Sequence, residues 1–239
     1  GITDFVRDYL VDYSNRTLSK YDAVFPLGYL KNKNKAIDYE AHLQKIGLHL
    51  DSQVIYFAGK LNSTVFNTIH HVIGAAKIIE TRFPLLKIVI CGDGSHKDKI
   101  KILSDNCSNI ITPGRVDSNI LSALKSVSIA SLLPIERRVD YQNSLSNKFF
   151  EYIADGLPIL SHLDGVPGEV IKKYKIGYVY SDEIELSSYI EKLLLDPVLR
   201  LSMSENAINL FKDKFDGNKV YKDFSKHLEM VFKDYNKTQ

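Results

Sequence analysis

Between residues 53 and 197 the chain alternates two hydrophobic patterns. Short apolar runs, rich in Val and Ile, cover 54–58, 88–91, 109–112, 127–133, 157–161 and 177–180. Continuous runs of that length predict strands buried on both faces, since a strand with one wet face would alternate apolar and polar positions. Between them lie 63–82, 97–104, 119–125, 147–154, 168–173 and 183–194, where apolar residues recur at helical spacing. Strand and helix in turn predict an α/β fold built on a doubly wound parallel sheet. Right-handed crossovers then gather every loop that follows a strand on one edge of the sheet, where such folds bind ligands.

The loops assigned to that edge carry the glycines and the charges: Gly59-Lys60, Gly92-Asp93-Gly94, Gly114-Arg115-Val116 and the polar stretch from Asn143 to Lys148. The last is the most informative. Ser144 or Ser146 can cap a helix over 147–154, because a hydroxyl satisfies the free N–H groups of a first turn. Phe149, Phe150, Ile153 and Ala154 give that helix an apolar side, and Gly156 followed by Pro158 ends it. Free amides and the positive end of the helix dipole around Ser144, Leu145, Ser146 and Asn147 favour an anion. Asn147 and Glu151 lie four apart on one helical face, with Asn143 in reach from the loop. The layout suits a ligand with a phosphate at the helix start and hydroxyls beside a carboxylate. Lys60 follows the first strand at the same edge and reads either as a solvated surface lysine or as a cation that could neutralise a bound phosphate. Gly59, Gly92 and Gly94 would let backbone approach the ligand, although glycines that end strands are also ordinary turns.

This combination, over roughly residues 50 to 200, resembles the donor-binding domain of the retaining glycosyltransferases of family 4, which have the GT-B fold of two Rossmann-like domains. That family brackets its donor motif with two glutamates, the second shortly before a glycine–proline turn into a strand. Glu151 matches the second glutamate and Gly156-Leu157-Pro158 the turn, while Asn143 stands where the first glutamate usually is. The Asn-Ser-x-x-Asn-Lys loop is similar to a branch typical of bacterial surface-polysaccharide enzymes. The resemblance implies that Gly59, Lys60, Gly92 and Gly94 contact the donor diphosphate and sugar. It implies that backbone at Arg115 and Val116 holds the base, and that Glu151 accepts from the ribose hydroxyls. Asn143 would meet the sugar hydroxyls, and the 144–147 amides the phosphates. An amide at 143 donates and accepts but cannot supply a glutamate's charge. The family's usual second lysine has no counterpart in 63–67, so Lys148 and Arg115 are the candidate substitutes.

Outside this core the patterns change. Residues 4–14 read as a helix with Phe5, Tyr9 and Leu10 on one side, 22–28 as a strand, and 31–35 as a polar linker. By resemblance, residues 1–50 are a remnant of an N-terminal domain plus linker, and 51–197 are the nucleotide-sugar domain. Residues 198–239 are then C-terminal helices that cross back to the N-terminal domain. This tail is broken near Asp216-Gly217 and carries Phe224, Leu228 and Val231 at helical spacing.

Composition narrows the classes. Of 239 residues 44% are hydrophobic, and 31 Lys plus Arg against 29 Asp plus Glu leave a net charge of +2, which argues against a nucleic-acid binder. Cys91 and Cys107, without metal spacing, fit a reducing, cytoplasmic compartment. There is no apolar run near the ~18 residues of a membrane span. The chain opens Gly-Ile-Thr-Asp without a secretory signal, and its native start is expected upstream. His70 and His71 are adjacent on a helix, about 100° apart, and ill placed to share a metal. His162 reads as a core histidine, Asp164-Gly165 and Glu169 as a loop that can line a sugar pocket, and 136–141 as a solvated, mobile segment or, from its position at the site mouth, a contact for acceptor or sugar. With no Asp-x-Asp sequence, neither a metal nor another cofactor is called for.

The expectation is retaining transfer of a hexose or N-acetylhexosamine from a UDP-sugar to a lipid-diphosphate-linked glycan. The enzyme would work at the cytoplasmic face of the membrane and be held there peripherally. Asn143, Lys60 and Glu151 are the catalytic candidates, no protein nucleophile is assigned, and the departing phosphate would deprotonate the acceptor. Two alternatives stay open: a GT-B-type sugar-nucleotide epimerase, and a nucleotide-binding module inactive on its own. A dehydrogenase is disfavoured, because the first strand–turn lacks Gly-x-Gly-x-x-Gly.

Overall fold

The computed structural model describes residues 4–15, 17–31 and 37–237. Its elements in chain order are α1 (Asp4–Tyr13), α2 (Tyr39–Gln44), β1 (Gln53–Lys60), α3 (Ser63–Phe66), α4 (Ile69–Ile79), β2 (Leu86–Asp93) and α5 (Lys97–Ser104). There follow β3 (Ile110–Gly114), α6 (Ser118–Ser126), β4 (Ser128–Leu133), α7 (Val139–Gln142), α8 (Asn147–Ala154), β5 (Ile159–Ser161) and α9 (Val166–Tyr174). The chain continues through β6 (Gly177–Val179), α10 (Glu183–Leu195) and α11 (Pro197–Leu210), then a π-helical turn (Phe211–Phe215) and α12 (Gly217–Lys237).

The six strands form one sheet in the order β3-β2-β1-β4-β5-β6, and every pairing is parallel. Alternation along β1 shows why its run is continuously apolar. Val54, Tyr56 and Ala58 enter the core on one face with α6 and α8, whereas Ile55 and Phe57 enter the other core with α4 and α10. Both faces are covered, so neither can be polar. The order reverses between β1 and β4, which opens a crevice at their carboxyl ends.

Helix α8 forms for the reasons legible in its sequence. Ser146 is its N-cap, with Oγ accepting from the Phe149 amide at 3.4 Å, and Phe149, Phe150, Tyr152 and Ile153 are fully buried. At its end Gly156 adopts φ +69°, a left-handed conformation, while the Leu157 amide donates to the Tyr152 carbonyl at 2.9 Å.

Three expectations need correction. Residues 22–28 form no strand; Tyr29 alone bridges Asp216, and the preceding stretch lies along α12, with Phe25 against Phe224 at 5.2 Å. No neighbouring strand offers that stretch a ladder, so apolar packing on a helix takes its place. The single helix expected over 63–82 is two, because the backbone turns at Thr68, whose hydroxyl donates to the Pro134 carbonyl at 2.7 Å. Residues 136–141 are solvated as expected, with 137–140 exposed, but they are tied down: they run into α7, and Arg137 is anchored in the loops beyond β5 and β6. The faces expected at Phe5 and Tyr9, and most of the linker after Lys31, lie outside the described residues.

Candidate functional site

At the carboxyl edge the ends of β1 and β2 interlock. Gly92 has φ +148°, and a Cβ built there would overlap the Gly59 carbonyl oxygen. Gly94, at φ +153°, would place a Cβ 2.5 Å from the Leu61 carbonyl oxygen. The Leu61 amide donates to the Asp93 carbonyl at 2.9 Å and the His96 amide to the Leu61 carbonyl at 3.0 Å. These glycines are therefore required by backbone-to-backbone packing, whatever binds above them.

That packing forms the floor of a concavity of about 310 Å³, lined by Ala58, Gly59, Lys60, Cys91, Gly92, Asp93, Arg115, Val116, Leu121 and Lys148. Three cations, from the end of β1, the loop after β3 and the first turn of α8, thus face one space, with a single aspartate on its wall. Cys91 lies beneath, where burial pushes its thiol up to about 12, so it offers no thiolate. Lys148 reaches the concavity from the first turn of α8 and pairs with Glu151 at 2.9 Å; 27% and 21% of their side-chain surfaces remain exposed.

Glu151 opens on its other side into a second cavity of about 340 Å³ with Tyr29, Tyr39, Ser118, Leu121, Ser122, Lys125 and Asp155 among its lining. Leu121 is shared by the two spaces. Tyr29 has its hydroxyl pushed up to about 12, first by burial and then by the Glu151 and Asp155 carboxylates. Asp155 is held by Lys125 at 2.6 Å and Lys31 at 3.2 Å, and Lys31 also donates to the Ala154 carbonyl at 2.7 Å. The C-terminal end of α8 is thereby capped by two lysines.

The structure thus brings Gly59, Lys60, Gly92, Arg115, Val116 and Lys148 into one lining, with Glu151 beside it. The other expected residues have local roles. Asn143 caps α7 and donates from Nδ2 to the Val139 carbonyl at 2.8 Å, and the Ser144 hydroxyl donates to the Asp140 carbonyl at 2.7 Å. Ser146 is engaged as the cap of α8, Leu145 leans on the core, and Asn147 is exposed. His162 is buried, with Nδ1 3.3 Å from the Tyr180 carbonyl; burial, then the Arg137 guanidinium, pushes it down to about 4. The rings of His70 and His71 lie 3.9 Å apart, and His71 Nδ1 is 3.1 Å from Glu183. Among the described residues no cluster of histidine, cysteine and carboxylate side chains could hold a metal.

Sequence reasoning missed Tyr29, Tyr39, Ser118 and Ser122, which come from a linker and two helices and carry no local pattern that joins them. It singled out the 136–141 stretch but not the anchoring role of Arg137, because an arginine just after a buried strand does not say what it reaches.

The family of glycosyl transferases group 1 matches the chain over residues 38–210. No curated protein sequence matches. Among solved structures, sucrose-phosphate synthase from Thermosynechococcus elongatus superposes with a TM-score of 0.72 at 16% identity, over 96% of this chain and 57% of that one. Anabaena HepE in complex with UDP and glucose gives 0.68 at 15% identity, over 87% and 56%. S. aureus TarM, in a complex that includes UDP, gives 0.64 at 15% identity, over 95% and 42%. The likeness is one of fold, the Rossmann-like domain of GT-B glycosyltransferases, and the chain spans about half the length of these proteins.

Proposed function

Since the chain belongs to the group 1 glycosyl transferases, we propose that its carboxyl-edge concavity binds the diphosphate of a nucleotide sugar. We infer further that the chain is the donor half of a retaining transferase of family 4. The observation that carries this reading is the convergence of Lys60, Arg115 and Lys148 above a glycine floor, one helical turn from Glu151. Cleavage of an anomeric C–O bond builds negative charge on the leaving phosphate. Fixed cations and the start of α8 stabilise that charge more in the transition state than in the bound donor. Glu151 accepts from the ribose hydroxyls, and Arg115 and Val116 present backbone to the base. Asn143 meets the sugar, with the departing phosphate serving as base for the acceptor hydroxyl.

The donor we favour is UDP-linked, in keeping with the UDP held by HepE and TarM. The acceptor is a lipid-diphosphate-linked glycan of surface polysaccharide, offered at the cytoplasmic membrane face with the help of an N-terminal domain. Residues 1–50 then belong to that domain and its linker, 51–197 to the donor domain, and 198–239 to the returning helices. No helix among the described residues is long and apolar enough to cross a membrane; the contact with the bilayer in this reading is peripheral.

The test is calorimetric titration of the 239-residue chain with UDP, GDP and NAD, repeated on Glu151→Ala. UDP binding that weakens at least roughly tenfold in the variant, as expected when hydrogen bonds to a charged group are lost, supports the reading. Binding of NAD in preference to UDP overturns it.

A further inference from the structure

The loop that carries Asn143 has little apolar anchorage. Helix α7 is a single turn of four residues with none buried, and Val139 is 74% exposed. A turn that short cannot hold itself. Only Tyr141 and Leu145 lean on the core. Polar contacts supply what packing does not. Arg137 donates from Nε to the His162 carbonyl at 2.8 Å and from Nη2 to the Tyr180 carbonyl at 3.3 Å. Its Nη1 pairs with Asp164 at 3.0 Å. One guanidinium thus ties the loop after β4 to those after β5 and β6, a planar fork of donors no lysine could replace.

Asp164 passes the tie back. Its second oxygen accepts from Gln142 Nε2, and Gln142 Oε1 accepts from the Gly165 amide at 2.9 Å. The Gln142 hydrogen bond, then the Arg137 charge, holds the Asp164 carboxyl below its usual range. Contact is close enough that a Cβ on Gly165 would overlap the Gln142 carbonyl oxygen. Gln142 is the residue immediately before Asn143.

We propose that Arg137, Asp164 and Gln142 form a clasp that holds the 143–146 loop where it can contact the sugar of the donor. They are positioning residues and touch no reacting atom. The sugar role rests on the donor reading above; the clasp itself does not. Because Arg137 and Asp164 keep 34% and 41% of their side-chain surfaces exposed, the ion pair by itself contributes little, and the joined hydrogen bonds are what fix the loop.

Amide hydrogen exchange and calorimetry on the whole chain test this. Asp164→Ala is expected to speed exchange of the 139–146 amides roughly tenfold while the sheet keeps its protection. It is also expected to weaken UDP-glucose or UDP-N-acetylglucosamine more than UDP, because Asn143 next to the clasp loses its sugar contact while the 144–146 amides, kept by the Ser146 cap of α8, loosen less. Gly165→Ala, which pushes the two loops apart by another route, gives the same pair of effects. Asp164→Glu, which keeps the charge and both acceptors, recovers part of each. A structural residue without a positioning role would weaken UDP and UDP-sugar by the same factor, and that result overturns the proposal. Unchanged exchange in Asp164→Ala overturns the clasp alone. A wild-type chain that binds no uridine nucleotide overturns the donor reading and the sugar role with it.

Discussion

Lys148 is the residue whose removal separates the two halves of donor recognition. It lines the space assigned to the diphosphate and is bonded to the carboxylate assigned to the ribose. Replacement by Met keeps the length of the stem and removes the charge. Two unit charges 4 Å apart attract by about 4 kcal/mol at an effective dielectric constant of about 20. Desolvation, and competition from Glu151 for the same ammonium, reduce the net to about 1.5–3 kcal/mol, the usual contribution of a hydrogen bond to a charged group. Lys148→Met should therefore weaken UDP roughly ten- to a hundredfold. Uridine has no phosphate to lose, and Glu151 is left freer to accept from its hydroxyls, so its Kd should stay within a factor of about three. The assay is calorimetry with both ligands at one fixed ionic strength, because exposed charge pairs are screened by salt. Parallel losses for UDP and uridine would refute the assignment, since Lys148 would then be holding helix α8 or Glu151 and not a phosphate.

Two further outcomes follow from the geometry. Gly92→Ala combines a left-handed φ with overlap onto the Gly59 carbonyl. It should cost about 2–4 kcal/mol and lower the melting midpoint by roughly 5–15 °C, which calorimetric or dichroism melts would show; a shift under about 2 °C would mean that the interlock yields. His162, pushed down to about 4 in the fold against 6.5 for the free side chain, binds its proton more readily when the chain is unfolded. Its contribution to stability is then fully present above about 6.5, is lost progressively as pH falls towards 4, and is level below that. Urea unfolding at pH 7, 5.5 and 4 should show wild type losing more stability than His162→Asn across that window, and equal losses would contradict the burial argument.

The sheet was legible because β1, β2 and β4 are buried on both faces and so read as nearly continuous apolar runs, with Ser131 the buried polar exception in β4. Helix α8 was legible from its ends, a serine cap and a left-handed glycine, both of which act within a few residues of themselves. The same locality explains why Lys60, Lys148 and Glu151 were placed near one another: each follows a strand or opens a helix at the same edge. What the pattern did not yield is what long-range contact decides. Residues 22–28 are as apolar as a strand, but their partner is α12, some 200 residues away. The second cavity joins Tyr29, Tyr39 and the α6 serines, from three separate stretches, to Glu151 and Asp155 from a fourth. Arg137 looks like any surface arginine until the carbonyls of His162 and Tyr180 arrive above it.

The interlocked glycines divide the site into parts with unequal freedom to change. At Gly59, Gly92 and Gly94 any side chain meets its own protein before it could meet a ligand, so on the proposed donor reading these positions hold no information about which sugar or base is bound. Whatever selectivity the protein has must be written in the rim: the outward face of α6, the first turns of α8 and the loop held by Arg137. An engineer seeking a new donor would leave the floor alone and vary that rim, where a substitution alters what the ligand sees without disturbing how the sheet closes.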